Sequence, residues 1–234
     1  MTAAEIIDEL RHLSDPAKIA DLERYAIKTP KAFGIRAPEL KAFAREVKNT
    51  VADRHAVALE LWETGVYDAR ALAFLIDDPQ KVTRSQMEAW AADFDNWATV
   101  DGACSYLFCR TPFAYEKAFE WADMKPEFIK RAGFSLMAYL AVHDKKAADA
   151  ELSAFLPLIE RHADDERNFV KKAVNWALRQ IGKRNLALNG LAVATAERIG
   201  QQDSRSARWI AADALRELTG EAVAERLKKK AAQR

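Results

Sequence analysis

Glycine is scarce in this chain of 234 residues, at 8, and no run alternates β-branched residues between turn signals. Hairpins and sheets therefore have little to start from. Cysteine occurs twice. Cys104 and Cys109 lie on one predicted helix with side chains pointing in different directions, so no disulfide is expected, and such sparse use fits a reducing cytoplasm. The longest clearly apolar run, ALAFLI at 71–76, is far too short to span a bilayer. The opening MTAAEIIDELRHLSDP carries acids and lacks the apolar centre of a secretory signal, so export is not expected. The histidines (His12, His55, His143, His162) are scattered, and no Cys/His spacing suits a metal. Phosphate-loop, dinucleotide and H-E-x-x-H motifs are absent, and no cofactor is implied.

Net charge is also small, at +1, but it is unevenly divided. Residues 167–234 hold 15 Lys/Arg against 6 Asp/Glu, a surplus of +9; residues 1–166 hold 21 against 29, or −8. A basic third on an acidic body points to a polyanionic partner. The bland alternative is a solvated tail, LKKKAAQR. Removing residues 227–234 takes away four cations and leaves +5 on 167–226, so most of the asymmetry lies inside expected helices.

Half the residues are apolar, and helical spacing runs nearly throughout. It predicts helices near 3–12, 16–28, 37–49, 53–63, 67–77, 83–92, 96–109, 112–122, 126–143, 147–162, 167–182, 186–200, 205–218 and 220–231. Pro16, Pro38, Pro112 and Pro126 sit in first turns, where the missing N–H costs nothing. Pro157 is expected to kink or divide its helix. Short helices without a Gly/Ser linker predict one all-α domain, 1–234, with 227–234 as a basic, poorly ordered tail. Antiparallel pairs recurring at roughly 35–45 residues suit an α-solenoid of degenerate HEAT-like repeats, curved, with a concave basic face. A compact bundle is the rival arrangement.

Three segments could carry chemistry. In FDNWATVD, Trp97 and Asp101 fall four apart and share a helix face, beside a buried stripe of Val100, Ala103, Cys104 and Leu107. A carboxylate beside an indole suits a cationic centre; equally, Trp97 could be core and Asp101 a tie to a neighbouring helix. In EFIKRAGFSLMAYLAVHD, Lys130 and Arg131 point away from the stripe of Ile129, Ala132, Leu136, Tyr139 and Leu140. They could neutralise a phosphate or simply be solvated. In NFVKKAVNWALRQIGKR, Val170, Ala173, Val174, Ala177, Leu178 and Ile181 form the apolar face, and Trp176 stands opposite among Lys172, Arg179 and Lys183. Trp209 likewise stands opposite its stripe, close to Arg205 and Arg216. Two such tryptophans signal either ligand-facing aromatics or lateral packing between helices.

Taken in order, FDNWATVD, FIKRAGF, FVKKAVNWALRQIGK and the N-terminal ERYAIKTPKAFGIRAPELKAFARE resemble the AlkD-type DNA alkylation repair glycosylases over nearly the whole chain. DSRSARWIAADALREL looks like a subgroup feature. The resemblance implies a monofunctional glycosylase of HEAT-like repeats that removes cationic N3- or N7-alkylated purines from duplex DNA, without cofactor or metal. The expected setting is a monomer in the cytoplasm, nucleoid-associated when bound to DNA, with no membrane partner. The resemblance makes Asp101 the acid beside C1′ and Trp97 and Trp176 the aromatics lining the sugar, with Tyr25 a weaker candidate for the same wall. Arg131 becomes a phosphate contact, and Lys130, Lys172, Arg179, Lys183 and Arg205 are the accompanying DNA-binding cations. A DNA-binding module without catalysis and a protein-interaction scaffold are the alternatives.

Overall fold

The computed structural model describes residues 1–27, 29 and 31–232, and among these every regular element is helical. The chain forms two compact units, residues 1–112 and 113–234. The first holds α1 (Ala3–His12), α2 (Pro16–Arg24), α3 (Ala37–Thr50), α4 (Arg54–Glu63), α5 (Tyr67–Ile76), α6 (Arg84–Ala92), α7 (Trp97–Tyr106) and a 3-10 turn at Phe108–Arg110. The second holds α8 (Ala114–Ala122), α9 (Glu127–His143), α10 (Asp149–Ser153), α11 (Leu156–Arg161), α12 (Asn168–Gly182), α13 (Leu186–Gly200), α14 (Arg205–Leu218) and α15 (Glu221–Ala232).

Packing follows the repeat logic within each unit. In the first, α4 pairs with α5 while α3, α5 and α7 stand side by side. In the second, α8 pairs with α9 and α13 with α14, while α9, α12 and α14 form the row. The first unit is centred on Trp62, stacked on Trp90 at 4.0 Å with Phe94 against its edge. Close approach in the second depends on Gly133: a Cβ there would stand 2.5 Å from the Ala122 backbone nitrogen of α8. Backbone cannot yield as a side-chain tip can, so that crossing needs a residue without a side chain.

Several boundaries differ from the periodicity, among them the helix expected at 96–109, which ends at Tyr106 and leaves Cys109 in the 3-10 turn. Helix α2 ends at Arg24 instead of running to 28, and Lys28 lies outside the described residues. The Ala26 N–H donates to Glu23 O and the Ile27 N–H to Leu22 O, with Ala26 at φ 56°. This is a Schellman-type stop built on alanine in place of the usual glycine, which is why no stop signal could be read. The expected helix at 147–162 is divided into α10 and α11, with Pro157 in the first turn of α11. The helix expected at 220–231 is α15, and it carries residues 227–232, also expected as a loose tail, in helical form because its Val223 and Leu227 are buried; residues 233–234 lie outside the described residues.

Two substitutions test these constraints through the melting temperature. Gly133→Ala is expected to cost at least 1–3 kcal/mol, lowering Tm by about 2–4 °C per kcal/mol in a chain of this size. Ala26→Gly removes a left-handed penalty of about 1–2 kcal/mol against about 0.4–1 kcal/mol of added unfolded-chain entropy, so Tm should rise slightly.

Candidate nucleic-acid interface

In the first unit, Asn96 caps α7: its side chain accepts from the Thr99 N–H at 2.9 Å and donates to Thr99 Oγ1 at 3.0 Å. The cap fixes where α7 begins, and Trp97 is its first residue. Trp97 is half-buried, and its indole Nε1–H donates 2.8 Å to the Tyr25 carbonyl across 72 residues of sequence. That carbonyl belongs to the residue ending α2, whose own ring is 67% exposed. Asp101 follows one helical turn after Trp97 and is also half-buried. Val100, Ala103, Cys104 and Leu107 behind it are sealed from solvent, as the periodicity predicts. Gly102 lets the Phe74 ring of α5 lie against α7, where an added Cβ would collide with it. The structure thus brings Trp97, Asp101 and Tyr25 into one neighbourhood.

In the second unit, Trp176 is half-buried and meets Tyr139 of α9 edge-on, with centroids 4.8 Å apart and planes at 88°. Lateral packing therefore accounts for part of its position, and the residue keeps some exposure. Tyr139 also stacks on His143 at 5.7 Å, making a short aromatic ridge along α9. The contact between Tyr139 and Trp176 could not be read from one helix at a time. Trp209 on α14 is 42% exposed, with the Lys171 ammonium 5.4 Å from its ring centre.

The cations need correction. Lys130 and Arg131 do not lie on an open face. Arg131 is 7% exposed, and its guanidinium donates 2.7 Å to the Phe169 carbonyl at the start of α12. The Lys130 ammonium lies 3.5 Å from Asp165 and 3.4 Å from His162 Nδ1. Burial holds the His162 imidazole below its ordinary value despite its bond to Asp123, and the Lys130 charge pushes the same way. The reason is that α9 is packed by α8 on one flank and α12 on another, so residues away from its stripe still meet protein. Arg179 and Lys183 also differ from expectation: both donate 2.6 Å to Glu217 of α14, and Arg179 lies 3.4 Å from Asp213. Burial alone would raise the Glu217 carboxyl, but the Lys183 bond and the Lys183 and Arg179 charges outweigh it and hold the group below its ordinary value. Lys172 and Arg205 are exposed.

Thiol chemistry has no support. Cys104 is buried, and burial raises the Cys109 thiol. Among the described residues no group of His, Cys, Asp and Glu could hold a metal ion, and no helix is long and apolar enough to cross a membrane.

Comparison with known proteins bears on the fold and the family. A solved structure described as a new family of proteins related to the HEAT-like repeat DNA glycosylases, with affinity for branched DNA structures, superposes with a TM-score of 0.79. It is 21% identical and covers 97% of this chain and 96% of its own, so the HEAT-like repeat fold is shared. The "Uncharacterized protein Lin0241" of Listeria innocua serovar 6a (strain ATCC BAA-680 / CLIP 11262) is 23% identical over 203 residues, 86% of this chain and 88% of that protein. The family model for the DNA alkylation repair enzyme matches residues 6–218, and this chain belongs to that family.

Proposed function

We propose that the protein is a DNA glycosylase that hydrolyses the N-glycosidic bond of cationic N3- or N7-alkylated purines in duplex DNA. The observation that carries this reading is the Trp97–Asp101 pair, with the indole pinned by the Tyr25 carbonyl at 2.8 Å and the carboxylate one turn beyond it. An alkylated purine already bears positive charge and leaves without being protonated. As the bond breaks, the charge passes to the deoxyribose, giving an oxocarbenium-like centre. Asp101 stabilises that charge and orients the attacking water. Trp97 offers its π face to the same cation, a contact of about 0.5–2 kcal/mol, and its hydrogen bond removes the rotamer freedom that would blunt the effect.

Trp176 is the second aromatic in this reading, held on edge by Tyr139. Tyr25 presents a largely exposed ring beside Trp97. Lys172 and Arg205 meet phosphates directly, and Arg131 does so through the small edge it leaves exposed. Lys130, Arg179 and Lys183 reach DNA only by exchanging a carboxylate partner for phosphate. The base needs no deep pocket, so bulky adducts are tolerated. Duplex DNA carrying such lesions is the partner, acted on in the cytoplasm by a monomer without cofactor.

A second reading is favoured by the relative with affinity for branched DNA: binding without base release. Both are separated by incubating wild type and Asp101→Asn with methylated duplex and measuring free base and abasic sites. Asp101→Asn should lose about 10²–10³ in turnover while keeping its DNA affinity. If wild type binds the duplex and releases nothing, the enzyme reading fails and the binding reading stands. The exchange of partners has its own test. Glu217→Gln should raise affinity for undamaged duplex several-fold and steepen the salt dependence by roughly 0.9 for each cation released to phosphate. An unchanged slope in an anisotropy titration would remove Arg179 and Lys183 from the interface.

A further inference from the structure

Beyond the faces of α9 and α12, the second unit has a hollow of about 620 Å³ where the chain leaves α12 and enters α13, covered on one side by α15. Lys145, Arg184, Asn185, Leu186 and Lys230 are among its lining residues. A smaller hollow shares Lys145, Arg184 and Lys230 with it and adds Arg226 and Lys183. We propose that this cleft binds the phosphates of a DNA backbone, a contact separate from the residues that would act on the lesion.

The cations arrive from three separate segments: Lys145 from the turn after α9, Arg184 from the end of α12, and Arg226 and Lys230 from α15. Like charges gathered in one hollow repel one another unless an anion enters. The carboxylate in the larger hollow, Asp149, already accepts 2.7 Å from the Asn185 amide. Carbonyls hold several of the cationic heads. Arg184 donates 2.7 Å to Asp144 O and 3.3 Å to Ala141 O, and Lys145 donates to Val142 O. A helix-end carbonyl carries only partial charge, so it fixes a cation's position without cancelling its charge. Helix α13, 15 residues long, begins at Leu186 on the wall of the cleft and adds the positive end of its dipole.

Location favours a nucleic-acid strand over a small anion. Lys183 and Gln180, on the wall of the smaller hollow, continue the α12 face that carries Trp176. Seven residues from Trp176 to Lys183 advance about 10 Å along a helix, roughly three nucleotide steps along one strand. A backbone gripped in the cleft could thus extend along α12.

The inference rests on the DNA-binding part of the function proposed above, not on base release, and the test separates the two. Anisotropy with an undamaged labelled duplex between 50 and 200 mM salt (on the scale where counterion release is read) would compare the full chain with Lys145→Gln/Lys230→Gln. The double variant should lose about five- to tenfold in affinity at mid-range salt, and its salt slope should fall by roughly 1.8, at 0.9 per lost phosphate contact. The charge-matched control Lys228→Gln/Lys229→Gln removes exposed cations of the same helix that do not line the cleft. It should stay within about twofold of wild type. Lys145→Arg/Lys230→Arg, which keeps the charge, should retain the wild-type slope and guards against a folding defect in the Gln pair. Equal losses in the Gln pair and the control would reduce the effect to net charge and overturn the proposal. So would an unaltered duplex affinity in the Gln pair together with a melting-temperature rise by inorganic phosphate or a mononucleotide that only wild type shows, since the cleft would then serve a small anion. A wild type that does not bind duplex defeats the DNA reading as a whole; one that binds with no sensitivity to the Gln pair defeats the cleft alone.

Discussion

A helix with a partner behind it and neighbours on both flanks has only a narrow strip left for solvent. That constraint governs the rows in both units: α5 meets α3, α4 and α7; α9 meets α8 and α12; α12 meets α9, α13 and α14. In an isolated amphipathic helix the side opposite the apolar stripe belongs to water. In a row it belongs mostly to the next helix, and polar side chains there must find partners or be expelled. Arg131 finds a carbonyl, Lys130 a carboxylate, and Arg179 and Lys183 share Glu217. What reaches solvent is reduced to the edges, where Trp97, Asp101 and Trp176 lie half-covered. Flank packing also demands small residues at the crossings, met by Gly133 against α8 and by Gly102 beneath Phe74.

The half-buried state suits these side chains. A fully exposed indole loses entropy when it meets a ligand, whereas a fully buried one meets none. Trp97 is fixed by a hydrogen bond from its ring nitrogen, Trp176 by an edge contact with Tyr139, and both keep surface to offer. The acceptor for Trp97 is a main-chain carbonyl at the end of α2, set by the Ala26 turn. The N-terminal helices thus contribute through backbone geometry, with the Tyr25 side chain left outward.

The order of helices was legible in the sequence because most bury a 3.6-residue stripe and many begin with a cap or a proline. The stripes on α7 and α12 are buried residue for residue, as are Ala207, Ile210, Ala211, Ala214 and Leu218 opposite Trp209 on α14, and Pro157 does divide its segment. Periodicity treats each helix alone, so it could not give what depends on neighbours. The Tyr139 contact of Trp176, the Glu217 clamp on Arg179 and Lys183, and the burial of Arg131 each involve residues 30 or more positions apart. The end of α2 escaped for a different reason: its stop uses Ala26 in a conformation usually signalled by glycine or asparagine. Motif order carried the family where single motifs could not.

Formal charge misstates what a polyanion meets, and the pairing pattern says by how much. Several cations after residue 166 are engaged by acids: Arg167 with Asp165, Arg179 and Lys183 with Glu217, Arg198 with Glu160, Arg208 with Asp203. The more exposed of these, Arg198 with Glu160 and Arg208 with Asp203, exchange partners readily, because an exposed pair contributes about 0–1 kcal/mol in water. They form a reserve that phosphate can recruit at little cost. Arg184 is different: its guanidinium donates to the Ala141 and Asp144 carbonyls, which orient it and leave its charge intact. A backbone approaching this unit therefore meets two kinds of cation, some bound to acids and exchangeable, some held ready by helix ends. The second kind should dominate first contact, since nothing has to be displaced before it can act.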